Sequence, residues 1–167
     1  CLLDVRFAGD EDNFAQAGPP ATTGQFDQTA NNQAFSYTFN FTVPPGHAVT
    51  SAQLEVRLKP LTFDAVNDTV TLSSGPSNWN ARIDDGPYAP PVAPPPPWPV
   101  LLPPDPNNAQ WDPSNPTYAS GHTFVLDLGN LDPAGGASSL LSDMTASGQL
   151  TFSLQDDTAV DWIRLRL

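Results

Sequence analysis

The stretch Phe35-Ser36-Tyr37-Thr38-Phe39-Asn40-Phe41-Thr42-Val43 decides the fold. Odd positions are aromatic or aliphatic and even positions are polar. Successive side chains of a β-strand point to opposite faces, so this is a half-buried antiparallel strand with one wet face. Pro44-Pro45-Gly46 then turns the chain.

The same period recurs on both sides. Ala52, Leu54, Val56 and Leu58 alternate with Gln53, Glu55, Arg57 and Lys59, and Pro60 stops the run. Val70 and Leu72 alternate with Thr69 and Thr71; Phe124, Leu126 and Leu128 make another strand, and Leu150, Phe152 and Leu154 another. Ile163, Leu165 and Leu167 alternate with Trp162, Arg164 and Arg166 to close the chain, and Leu3, Val5 and Phe7 open it. Seven or eight short strands with polar outer faces predict an all-β, two-sheet antiparallel jelly-roll sandwich. One helix of two turns at most is expected at Ser138–Met144, capped by Ser138 or Ser139. The 167 residues suit a single domain, 1–167.

Net charge is −12, and all but two of the eighteen acids are Asp, the exceptions being Glu11 and Glu55. Asp favours turns and caps. So acidic a chain lacks the basic surface that nucleic acids or anionic membranes require, and no apolar run approaches the ~20 residues of a membrane span. The charge fits an extracellular or cell-surface protein. Cys1 is the single cysteine. It either carries a lipid, as in bacterial lipoproteins, or marks only where this segment starts.

Residues 74–120 form a Pro- and Trp-rich extended insertion holding most of the twenty prolines. A loop of that length in a compact domain calls for a function. Its aromatic and proline residues Trp79, Tyr88, Pro94, Pro95, Pro96, Pro97, Trp98, Trp111 and Tyr118 are the candidate fasteners. They bind either the domain's own sheet or a neighbouring molecule.

The inventory for catalysis is thin. His47 and His122 sit in turn-like contexts beside glycine. No Gly-x-Ser-x-Gly elbow, His-Glu-x-x-His, phosphate loop or dinucleotide fingerprint occurs. No enzyme activity is expected. Acidic clusters point instead to oxygen-ligated Ca²⁺. Asp10 and Asp12 follow the first strand, and Asp156, Asp157 and Asp161 flank the last turn; neighbouring terminal strands would bring them together. Asn40-Phe41-Thr42 and Asn67-Asp68-Thr69 are glycosylation sequons, at Asn40 and Asn67.

The closing run Thr158-Ala159-Val160-Asp161-Trp162-Ile163-Arg164-Leu165 resembles the last strand of calcium-dependent carbohydrate-binding jelly rolls. The resemblance covers about ten residues. It implies that Asp161, with oxygens from the N-terminal strand region, holds a structural Ca²⁺. That family's acidic-Ala-Glu opening is absent here. The strand pattern and low lysine content also resemble the jelly-roll domains of bacterial surface and matrix proteins. Two functions follow as expectations. One is a non-catalytic subunit of an extracellular filament, sheath or surface assembly, copies being joined through the Pro-rich arm, the terminal strands or both. The other is a carbohydrate-binding module using exposed tryptophans, Trp162 among them, with Ca²⁺ as a structural ion and no other cofactor.

Overall fold

A computed structural model describes residues 4–15, 26–29, 33–62, 68–84, 97–103, 111–136, 139–155 and 157–167. The strands are β1 (Val5–Gly9), β2 (Phe35–Asn40), β3 (Gln53–Pro60), β4 (Thr69–Ser74), β5 (Ser77–Arg82), β6 (His122–Asp127), β7 (Gln149–Gln155) and β8 (Thr158–Arg166). They form two four-stranded sheets, ordered β1-β8-β3-β6 and β2-β7-β4-β5. Every strand pair is antiparallel. This interleaved order is that of a jelly roll, so the expected fold is present.

The core forms as the alternation requires. Leu54, Val56 and Leu58 of β3, Val70 and Leu72 of β4, and Leu150, Phe152 and Leu154 of β7 are buried between the sheets. Phe35 meets Phe152 edge-on at 6.2 Å between ring centroids. Helix α1 (Leu140–Ser147) bridges toward β4 and β5 and buries Leu140 and Met144. Gly148 ends it in the left-handed region at φ 64°, where a residue with a Cβ is strained. Ser139 occupies the N-cap position without a side-chain cap hydrogen bond, and the helix runs three residues past Met144. Ser138 lies outside the described residues.

The outer faces of the two sheets differ. On the first sheet, register places Phe7, Arg164, Glu55 and Val125 in one row, with Gly9, Trp162, Arg57 and Thr123 in the next. Arg57, Lys59, Arg164 and Arg166 all belong to this sheet, in a chain with only six bases. On the second sheet the central rows read Ser36, Ser153, Thr71, Asn80 and Thr38, Thr151, Ser73, Asn78.

The insertion departs from expectation at both ends. Its first part, Ser77–Arg82, is strand β5, with Trp79 only 2% exposed. Residues 99–102 meet the end of β5: Arg82 N–H donates to the Pro99 carbonyl at 2.9 Å, Leu101 N–H to the Arg82 carbonyl at 2.9 Å, and Leu102 N–H to the Ile83 carbonyl at 3.0 Å. These bonds satisfy the backbone of Arg82 at one end of an edge strand. Trp111 then plugs the core at 0% exposure, its ring 5.4 Å from that of Phe124. Its indole N–H donates to Thr158 Oγ1 at 2.8 Å, and its backbone N–H to Asp84 Oδ2 at 2.9 Å. The described parts of the insertion therefore fasten to this molecule's own sandwich.

Candidate metal centre

The site is built where β1 ends beside β8. Trp162 pairs with Arg57 and Val160 with Leu58, which leaves Asp161 as the extra residue of a β-bulge. A bulge re-aims one side chain without breaking the strand. Here it sets a carboxylate beside Arg57 and the Phe14 backbone, and Asp161 is 1% exposed. Across from it, Gly9 has φ 86°, and a Cβ there would strike the Asp161 carbonyl and approach Trp162 Cα to 2.8 Å. Only glycine lets β1 come this close to β8 before the chain turns away into Asp10 and Asp12.

Three segments deliver four carboxylates. One oxygen each of Asp10, Asp12, Asp27 and Asp161 lies within 4.8 Å of the others. Asp12 Oδ1 accepts from Ala15 N–H at 2.9 Å, tightening the turn. Asp27 is anchored by its backbone N–H to the Val160 carbonyl at 2.8 Å. Asp161 Oδ1 accepts from Phe14 N–H at 3.2 Å. Its Oδ2 has no hydrogen-bond donor, and Arg57 Nε stands 3.3 Å away as an ion-pair partner. Arg57 also donates to Asn13 Oδ1 and the Ser120 carbonyl, both at 2.9 Å, and lies over the Phe14 ring.

Among the described residues, Asn13, Phe14 and Asp27 are the non-glycine positions with positive φ, near 60°. All three belong to the segments that carry the cluster. Left-handed backbone at a side chain as large as Phe costs energy and concentrates at functional sites.

The electrostatics match the geometry. Two unit charges about 5 Å apart repel by roughly 3 kcal/mol at an effective dielectric near 20. Four ionised carboxylates with one arginine beside them therefore need a further positive charge or a proton. Burial first, then the charges of Asp12, Asp10 and Asp161, push the Asp27 carboxyl from 3.8 up to about 7. Burial also raises Asp161, against the lowering effects of Phe14 N–H and Arg57.

A divalent cation would supply the missing charge. Ca²⁺ binds oxygens at about 2.3–2.6 Å, so ligands on opposite sides of one ion stand about 4.6–5.2 Å apart. Carboxylate oxygens within 4.8 Å of one another are compatible with that span. The donor set is all carboxylate oxygen, the set a hard cation prefers.

Asp10, Asp12 and Asp161 thus converge as the sequence suggested, and Asp27 joins them unanticipated. Nothing in its local sequence separates Asp27 from the other turn aspartates. Asp157 does not join. It is buried elsewhere, and its backbone N–H donates to Asp68 Oδ1 at 2.8 Å. Asp156 lies outside the described residues.

Of the candidate fasteners, Trp79, Trp111 and Tyr118 are core residues, and a buried ring offers no face to a partner. Trp79 Nε1–H is committed to the Asp132 carbonyl at 2.8 Å. Trp98 is partly exposed and Pro97 is exposed; Tyr88, Pro94, Pro95 and Pro96 lie outside the described residues. Trp162 was expected on an open face, but it is 8% exposed, with Phe7 and the Arg164 guanidinium against its ring. Asn40 is exposed on β2, and Asn67 lies outside the described residues.

No protein-family model, no curated protein and no solved structure matches this chain.

Proposed function

We propose that this chain is a non-catalytic, extracellular β-sandwich binding module of the carbohydrate-binding kind, with its first and last strands clamped by a structural Ca²⁺. The observation that carries the reading is the convergence of Asp10, Asp12 and Asp27 on the bulged, buried Asp161, the residue to which the C-terminal resemblance assigns the ion. The clamp would join three segments distant in sequence and so stabilise the sandwich rather than perform chemistry.

Thermal unfolding tests it. At a Ca²⁺ concentration 100 times the dissociation constant, binding to the folded state alone contributes about 2.7 kcal/mol. For a domain of this size that raises Tm by about 5–10 °C over chelated protein. Asp12→Asn should lose most of the increment. Equal midpoints in Ca²⁺ and in chelator would remove the basis for the reading.

A second reading, a self-assembling surface subunit, is favoured by one observation. Val5 and Phe7, 44% and 43% exposed, lie on β1, an edge strand of the first sheet. Such an edge is a template for pairing with another chain. Sedimentation of the full chain should then show concentration-dependent growth that Phe7→Lys abolishes; a monomer at all concentrations rejects it.

A further inference from the structure

We infer that the outer face of the second sheet docks a neutral, hydroxyl-rich polysaccharide. The inference rests on the reading of this chain as a binding module and names the ligand class and the face, but it owes nothing to the cation clamp. The central rows of that face run across β2, β7, β4 and β5, and every outward residue in them is Ser, Thr or Asn.

An ordinary solvated sheet face carries charge. The first sheet does, with Glu55, Arg57, Lys59, Arg164 and Arg166 in this same molecule. The second sheet has none in its central rows, although the chain as a whole carries −12; its Arg82, in the flanking row with Thr69 and Gln155, is buried at 6% exposure. The contrast sets the chemistry of the partner. Hydroxyls and amides both donate and accept hydrogen bonds, as sugar hydroxyls do. An anionic polymer presents acceptors and needs cations opposite it. A cationic one needs carboxylates. Neither finds its partner here, whereas a neutral saccharide meets its own kind of group and no charge has to be desolvated.

The side chains are also held in position. Thr38 and Thr151 hydroxyls lie 2.8 Å apart, those of Ser36 and Ser153 3.1 Å apart, and Thr71 donates to Asn80 Oδ1 at 2.9 Å. Cross-strand pairing of this kind fixes rotamers before a ligand arrives, which lowers the entropy cost of binding. At about 4.8 Å between strands, the four-stranded face is roughly 14 Å wide. A depression of about 300 Å³ opens at the β2–β7–β4 side of it, where Ser36, Thr69, Thr71, Ser153 and Gln155 meet the apolar Ala34, Phe35 and Leu154. It offers an extended chain a place to lie.

Affinity electrophoresis of the full chain tests this, using gels that contain soluble mixed-linkage β-glucan, galactomannan or xyloglucan, and alginate as the anionic counterpart. Retardation is expected in at least one neutral gel, unchanged at about 0.5 M salt because no ion pairs are involved, and none is expected in alginate. Ser36→Arg and Asn78→Arg, both at exposed positions, should each weaken the neutral-gel affinity by about tenfold by placing a bulky charge on the face. Val125→Arg on the first sheet should leave it intact. Retardation by alginate alone, by no neutral polymer, or undiminished in both folded variants would overturn the inference. Calcium titration of the same samples separates the two claims. Calcium binding with retardation by alginate alone sinks only this inference, calcium binding with retardation in no gel counts against the carbohydrate-binding reading as well, and glycan binding without calcium binding sinks only the clamp.

Discussion

At the residue scale, the protonation of Asp27 couples the site to stability. Its folded carboxyl titrates near 7 against 3.8 for the free side chain, so the folded state holds that proton more tightly. Such a group's contribution is fully present below the unfolded value and is lost as pH rises through the folded one. Chelated protein should therefore gain stability as pH falls from 8 toward 6.5, and urea midpoints in chelator would show it. His122 opposes the trend lower down, because burial and then the Arg57 charge lower its pKa. A lowered base removes stability as pH falls below the unfolded value of 6.5. In saturating Ca²⁺ the fall between pH 6.5 and 8 should vanish, since the ion supplies the charge the proton supplied. Asp27→Asn should flatten the chelated profile, and an unchanged profile would show that Asp27 is not the group.

At the element scale, the bulge and the close β1–β8 approach carry the site. Gly9→Ala forces a Cβ into the β8 backbone. It should cost about 1–3 kcal/mol and weaken Ca²⁺ binding as well, measured by denaturant unfolding and titration. The bulge left a trace in the sequence. Val160 and Ile163 both reach the core, three residues apart, which strict alternation forbids, and the offset falls at Asp161. Strand β5 left a fainter one. Trp79, Ala81 and Ile83 alternate with Asn78, Asn80 and Arg82, but Pro76 directly precedes the run and Trp79 is the only large apolar side chain within Ser77–Arg82, so the stretch read as part of the insertion. Pairing with β4, which no local pattern encodes, makes it a strand. Trp111→Ala tests the inward role of the insertion. Removing a fully buried Trp should cost about 3–5 kcal/mol, read from chemical unfolding; a surface fastener would cost almost nothing.

At the scale of the whole molecule, the sandwich was legible because each sheet has one oily and one wet face, and period-two patterning records that directly. Pairing of the first and last strands was legible too, as one of two alternatives: Val5 faces Arg166 and Phe7 faces Arg164. The composition of the metal cluster was legible only in part. Asp27 reaches it through tertiary folding from a stretch without strand pattern, and Asp157 leaves it for a buried network with Asp68 and Thr158. Aromatic density in the insertion marked it as bound to something without saying to what, and the described parts bind inward. The proposed clamp requires carboxylates from the beginning and the end of the chain to share one cation. Calorimetric titration of chelator-treated protein with Ca²⁺ at pH 7.5 tests that most directly. We expect one ion per chain with a dissociation constant below about 1 mM, and loss of the heat in Asp161→Asn. No binding heat in the folded wild type, or undiminished binding in the Asp161→Asn variant, would contradict it.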